Sequence, residues 1–313
     1  MATLKNHLVD FMRRYRNNTR ANYIKVGAIV FGVVFAIGNT LYINHFFNMP
    51  VPHIALIKLE GNVERGSNTG DGVILSEAIE RAMNDTLAHA IIVEANSPGG
   101  SPVQAEQLHR TIMSMRDTTN KPIYFSIGEL CASACLYIAS SADMVFAHKN
   151  SLIGSVGVRM DGWGFDKFLE HIDIERRTYS AGKHKTLLDP FKPRDPDAEA
   201  HLKTFVLEPL YGEFVSALKE GRGDKLDTNN ENLFTGLLWT GAQAKSLGLV
   251  DDIKTHYEVR TALQERYQVE MIQNYSRANF SISKLLTSEF WADVVAKAWV
   301  KVNNTQSMAV EYK

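Results

Sequence analysis

Ser133 stands among small residues in GELCASACLYIASSADMVFA (residues 128–147), just after the apolar run KPIYFSIG. A serine hydroxyl becomes a useful nucleophile when a base takes its proton and N–H donors hold the oxyanion that forms. A turn from strand into helix supplies exposure and the unpaired N–H groups of a helix start. Small neighbours, Ala132 and Ala134, let a substrate backbone come close. On Ser133 alone the plainer reading, a helix cap, is the commoner one.

Two further stretches could complete such chemistry. ANSPGGSP (residues 95–102) places Pro98, Gly99 and Gly100 at the end of an apolar run. Glycines there can aim a backbone N–H into a cleft, or make an ordinary turn. YSAGKHKTLLDPF (residues 179–191) carries Lys183, His184 and Lys185. That loop reads as solvated and basic, or as the source of a lysine general base, a role that requires a neutral amine. A Ser-His-Asp arrangement is the mechanistic rival, with His148 nearest in sequence and His184 beside Lys185 as a supporting group.

The elements around these residues alternate. HIALIKLEG reads as a strand and turn, GVILSEAIERAMND as an amphipathic helix, and HAIIVEANSPGG as a buried strand. SPVQAEQLHRTIMSMRD follows as a helix capped by Ser101, KPIYFSIG as a strand, CASACLYIASSA as a helix and DMVFA as a strand. Residues 194–223 read as helical, and LLWTGAQAKSLGLVDDI as a helix with a short strand. Strands alternating with helices imply a layered α/β domain with parallel pairing. Such sheets place ligands at the C-terminal ends of their strands, where both the NSPGG and CASAC loops fall.

The order NSPGG, small-residue serine junction, LIGSVGV (residues 152–158), GKHK and WTGAQAKSLGLVDDI resembles the signal peptide peptidase A family, also called protease IV. The likeness spans roughly residues 53–256. It implies a Clp-protease/crotonase-like fold of repeated ββα units and a Ser–Lys dyad needing neither metal nor cofactor. The family's serine falls on Ser133, its lysine on Lys185, and its oxyanion-loop glycine on Gly100. Where the family usually has Gly-Gly after the serine, this chain has Ala134 and Cys135, so Ala134 N–H becomes the second oxyanion donor. The resemblance implies peptide substrates, such as released signal peptides and membrane-proximal or unfolded segments. It also implies a homo-oligomeric ring or dome, an octamer among such forms, in which the lysine reaches a neighbouring subunit's serine. Two other classes remain open: a non-catalytic membrane-tethered scaffold, and an acyl-CoA-handling relative of the crotonase fold.

The chain has 313 residues, 45% hydrophobic and 22% charged, with formal net charge −1 and no overall basic signature for nucleic acid. The basic residues Lys5, Arg13, Arg14, Arg16, Arg20 and Lys25 face the single acid Asp10. No Asp, Glu, Lys or Arg then appears until Lys58. The run VGAIVFGVVFAIGNTLYI within that gap suits a membrane-spanning helix with its basic flank in the cytoplasm. No small-residue cleavage pattern follows it, so the expectation is a retained anchor in a bacterial inner membrane, with the rest outside the cytoplasm. The expected organisation is a basic segment 1–25, an anchor 26–45, a linker 46–52, a peptidase domain 53–263 and an extension 264–313 containing an amphipathic helix. Cys131 and Cys135, four apart around the serine, could pair in an oxidising compartment, but the expectation is two buried free thiols, because a helix must strain to bridge them.

Overall fold

The computed structural model describes residues 51–276, together with Phe31, Gly32, Phe35, Gly38 and Asn39. Those five are helical, and the Phe31 and Phe35 rings stack 6.2 Å apart. The rest of the expected anchor, most of the linker and the amphipathic tail lie outside the described residues. Among the described residues no helix is long and apolar enough to cross a membrane.

From Pro52 onward the described chain is an α/β unit around one sheet. β1 (His53–Glu60), β2 (Ala88–Ser97) and β3 (Ile123–Ala132) pair in parallel at its centre. They are joined by α1 (Gly72–Asn84) and α2 (Pro102–Thr118). β3 has two partners on its far side. Its first half pairs with β4 (Met144–Ala147) and its last residues pair with β5 (Leu152–Gly154). That split sends the C-terminal end of β3 away from β4, and the short α3 (Ala134–Ala139) begins there.

The remaining elements close the sheet. After α4 (Asp166–His171) come α5 (Pro196–Leu202), a π-helical turn at Lys203–Leu207, and α6 (Glu208–Arg222). The single helical stretch read over 194–223 is therefore interrupted. Pro209 lacks an N–H donor, and the widened turn just before it accommodates that loss. β6 (Leu238–Thr240) pairs antiparallel with β5, and after α7 (Gly241–Ser246), β7 (Asp252–Ile253) pairs with β4. α8 (His256–Tyr267) leads to β8 (Met271–Asn274), which borders β1. This edge strand comes from the stretch read as a separate tail. It is held by Tyr275 N–H on Leu56 O (2.8 Å) and by Lys58 N–H on Ser276 Oγ (2.7 Å).

The central strands are buried on both faces, so they read as continuous apolar runs rather than alternating ones. Ala55, Ile57, Ile91, Val93, Phe125 and Ile127 meet the α1–α2–α3 layer. Ile54, Leu56, Ala90, Ile92 and Tyr124 meet Val259 and Leu263 of α8. The LGLVDDI segment has a structural task. Half-buried Asp251 accepts from Val145 N–H (2.7 Å), Arg222 (2.8 Å) and Lys225 (2.7 Å), tying β4 to α6. Burial alone would raise its pKa; these partners together lower it.

His109 of α2 lies under Tyr137, ring centroids 5.1 Å apart, with Nε2 buried and no hydrogen-bond partner among the described residues. Burial, with Arg110 and Arg116 nearby, lowers its pKa to about 4. Stability from this group is therefore full above the unfolded value of roughly 6.5. It is lost as pH falls toward 4, by an amount on the order of 3 kcal/mol. His109→Leu should flatten that slope in urea unfolding between pH 7 and 4.5. Burial lowers His256 as well, so part of the slope should remain. An unchanged slope in His109→Leu would contradict the assignment.

Candidate active site

Ser133 sits where β3 turns into α3, with φ 52° and ψ −121°. Side chains rarely adopt that region, and backbone held there at a cost of roughly 1–3 kcal/mol marks functional positions more often than neutral ones. Two backbone bonds fix it. Ser133 N–H donates to Gly154 O (2.9 Å), and Tyr137 N–H donates to Ser133 O (3.0 Å). The LIGSVGV segment thus supplies the carbonyl that holds the serine's backbone. Ser133 occupies the cap position of α3, yet its side chain makes no capping bond. The plainer expectation of a helix-capping serine is not what the structure shows.

The NSPGG loop closes over this turn. Val63 N–H donates to Gly99 O (2.9 Å) and Ser101 N–H to Val63 O (2.7 Å), so the loop is anchored to the chain just past β1. Gly99 has φ +99°, and a Cβ there would lie 2.7 Å from Ala132 O, 2.8 Å from Ser133 Cβ and 2.9 Å from Ala134 N. The backbone of the loop therefore packs on the serine itself. Gly100 (φ +154°) approaches Val63 just as closely. Among the described residues, neither Gly100 N–H nor Ala134 N–H has an acceptor. Both line the cleft that Ser133 lines. Gly99→Ala should lower kcat at least ~100-fold by displacing the turn. It should also cost about 2 kcal/mol in chemical denaturation. Wild-type kcat in that variant would show the contact to be slack.

The cleft has a volume of about 980 Å³. Its apolar lining includes Val63, Tyr137, Val158, Leu210 and Phe214, with Glu64 and Arg159 as its charged groups. Of these five, Val158 closes the LIGSVGV motif read from sequence, and the other four were not singled out. Tyr137 and Phe214 had a helical-spacing signal, but it reads equally as core. Val63 had no signal, since its position depends on the bridge to Gly100.

The sequence-derived site residues divide. Ser133, Gly100 and Ala134 come together in the cleft. Lys185 does not: it is exposed, in the loop after Gly182, and is absent from the cleft lining. His184 is also outside the cleft, bonded through Nδ1 to Asp195 (2.8 Å). His148 lines a second pocket of about 710 Å³ with His256 and Glu94, and the two pockets share no lining residue. Its ring meets His256 edge-on at 5.3 Å.

The two cysteines correct an expectation. They are joined as a disulfide rather than being free thiols. The expectation assumed that both lay on one helix. Cys131 instead belongs to β3, and the chain reverses at Ser133 before Cys135, bringing the Cα atoms to 5.2 Å. That separation is within the usual range for a bridge.

Residues 116–270 match the family described as Peptidase family S49. A protein named Na(+)/H(+) antiporter NhaA from Brucella abortus is 37% identical over 189 residues, 60% of this chain and 25% of that one. A protein named as a protease from Methanocaldococcus jannaschii is 27% identical over 221 residues, 68% of this chain and 70% of that one. The chloroplastic serine protease SPPA of Arabidopsis thaliana is 30% identical over 211 residues, 64% and 30% of the two chains. This chain thus spans about a quarter of the Brucella protein and under a third of the plant one. The matched segment contains the serine turn, the LIGSVGV strand and the LGLVDDI closure described above, and on that ground the chain belongs to peptidase family S49.

Proposed function

We propose that this chain is a membrane-anchored serine endopeptidase with a Clp-protease/crotonase-like core, in which Ser133 is the nucleophile. The observation that carries the reading is the uncapped Ser133 hydroxyl on a strained strand-to-helix turn, beside the unpaired N–H groups of Gly100 and Ala134. Ser133 Oγ attacks the peptide carbonyl, and its proton passes to the neutral amine of Lys185. The oxyanion is held by the two N–H groups, which are fixed before the reaction begins. Lys185 then gives that proton to the leaving amine, and water releases the acyl group from Ser133 by the reverse path.

Lys185 of one chain does not line its own cleft, so the reading requires assembly. The loop that bears it gives a reason to assemble. α4 buries none of its residues, and Trp163 and Tyr179 are 81% and 92% exposed. Met160, Phe165, Phe168 and Ile174 are exposed in the same stretch. Apolar side chains gathered this way are covered in a stable protein by another surface. A ring or dome of identical subunits would cover them and carry Lys185 to a neighbouring Ser133. No cofactor enters this chemistry.

The substrates proposed are released signal peptides and other unfolded or membrane-proximal segments, threaded through a cleft of mostly apolar lining. The basic N-terminal block and the charge-free run after it support an anchor at residues 26–45 in a bacterial inner membrane, catalytic domain outward. The full chain in detergent should cleave an unfolded peptide and spare a folded protein. Protease added to intact spheroplasts should remove the domain and spare the N-terminus. A chain that cleaves neither substrate, yet assembles, would favour the scaffold reading.

A further inference from the structure

The two cysteines that flank Ser133 have no part in the steps above. Cys131 pairs with Ile153 on one side and Ser97 on the other, near the end of β3. Cys135 is the second residue of α3. Both are fully buried, and their disulfide closes a ring around Ala132, Ser133 and Ala134.

This turn has reason to need an anchor. Ser133 is held at positive φ. α3 has six residues, too few for a helix to hold itself. The hydroxyl that would ordinarily secure such a start is not spent on capping. Gly99 and the Gly154 carbonyl hold the turn from outside, and the disulfide ties the first turn of α3 covalently back to the strand it leaves. A bridge closing so short a loop restricts the unfolded chain less than a long one does, so its main effect is local.

We infer that the Cys131–Cys135 disulfide is a positioning device that holds Ser133 in the conformation presenting its hydroxyl to the cleft. The inference rests on the reading of Ser133 as nucleophile. The cysteines touch no reacting atom and act through the turn. A dithiol undoes the bond: it gives two electrons and two protons to the S–S bond, leaves two cysteine thiols and becomes a cyclic disulfide. Both sulfurs are buried, so in the folded chain this exchange waits on local opening. Such bonds persist outside the cytosol, where the catalytic domain is proposed to lie.

The test begins with a thiol count. Full-length chain purified without reductant, then denatured and alkylated, should carry no label on Cys131 or Cys135; prior dithiol treatment should expose both. Labelling of both without dithiol would overturn the inference. The folded variant Cys131→Ala/Cys135→Ala should lose roughly ten-fold or more in kcat, with KM little changed. Its fluorophosphonate labelling at Ser133 should slow by the same factor. Wild-type kcat and labelling rate in that variant would overturn the idea. If the variant does not fold, wild-type chain is reduced in mild denaturant and returned to buffer. Its kcat should stay roughly ten-fold or more below that of untreated chain until a small-molecule disulfide re-forms the bond; full activity while both thiols are free would overturn it. Wild-type chain that takes no fluorophosphonate at all would instead remove the nucleophile reading, and the thiol count would remain a separate result.

Discussion

Ser133→Ala should abolish peptide hydrolysis while leaving the chain folded. The expected loss in kcat is on the order of 10⁴-fold or more, the scale seen when a nucleophile that acts as part of a unit is removed. The fold should barely respond, because the Ser133 side chain makes no capping bond for alanine to forfeit. Stability should stay within about 0.5 kcal/mol. Ser133→Gly sharpens the point. Glycine occupies positive φ freely, so that variant should be equally inactive and more stable, by roughly 1 kcal/mol. A serine kept for structure would behave the other way: activity would survive Ser133→Ala, and relieving the backbone would bring no gain.

Lys185→Ala should be as inactive as Ser133→Ala, and its stability should not change, since Lys185 is exposed in the single chain. The two single variants act on one unit, so the double variant should be no worse than either. Mixing the two inactive variants before assembly should restore activity. In a mixed ring, some interfaces pair an intact Ser133 with an intact Lys185 from the next subunit. Dilution that dissolves the oligomer should remove activity in the wild type. Mixed oligomers verified to contain both variants, yet inactive, would place both residues in one subunit and require the 157–195 stretch to fold back over its own cleft. Hydrolysis that survives Lys185→Ala but fails in His148→Ala would move the base to the second pocket.

The residues that make the serine turn were largely legible in sequence, because each of them answers a backbone demand. Gly99 and Gly100 stand where positive φ and close approach exclude a side chain. Ser101 caps α2 as its type and position suggest, accepting from Gln104 N–H. The core strands are legible too, as apolar runs bounded by turns. What was not legible depends on the third dimension. β3 continues through Cys131 and Ala132, where the sequence suggests that the helix has begun, because β5 and β2 offer pairing partners that no local propensity records. That extension is also why the cysteines meet. Val63, Arg159 and Phe214 line the cleft from three distant parts of the chain, and nothing in their spacing announces it. Lys185 is the opposite case. Its sequence context picks it out by resemblance, while the fold of one chain leaves it outside the cleft, since its proposed partner belongs to another copy.

The most direct measurement of the central claim is the site of a fluorophosphonate adduct on the assembled wild-type chain. The reagent reacts with an activated serine hydroxyl and leaves ordinary serines untouched. Peptide mapping should find one adduct, on Ser133, formed by wild-type oligomer and by neither dissociated subunits nor the Lys185→Ala variant. An adduct on another serine, or none on a chain that still cleaves peptides, would contradict the account.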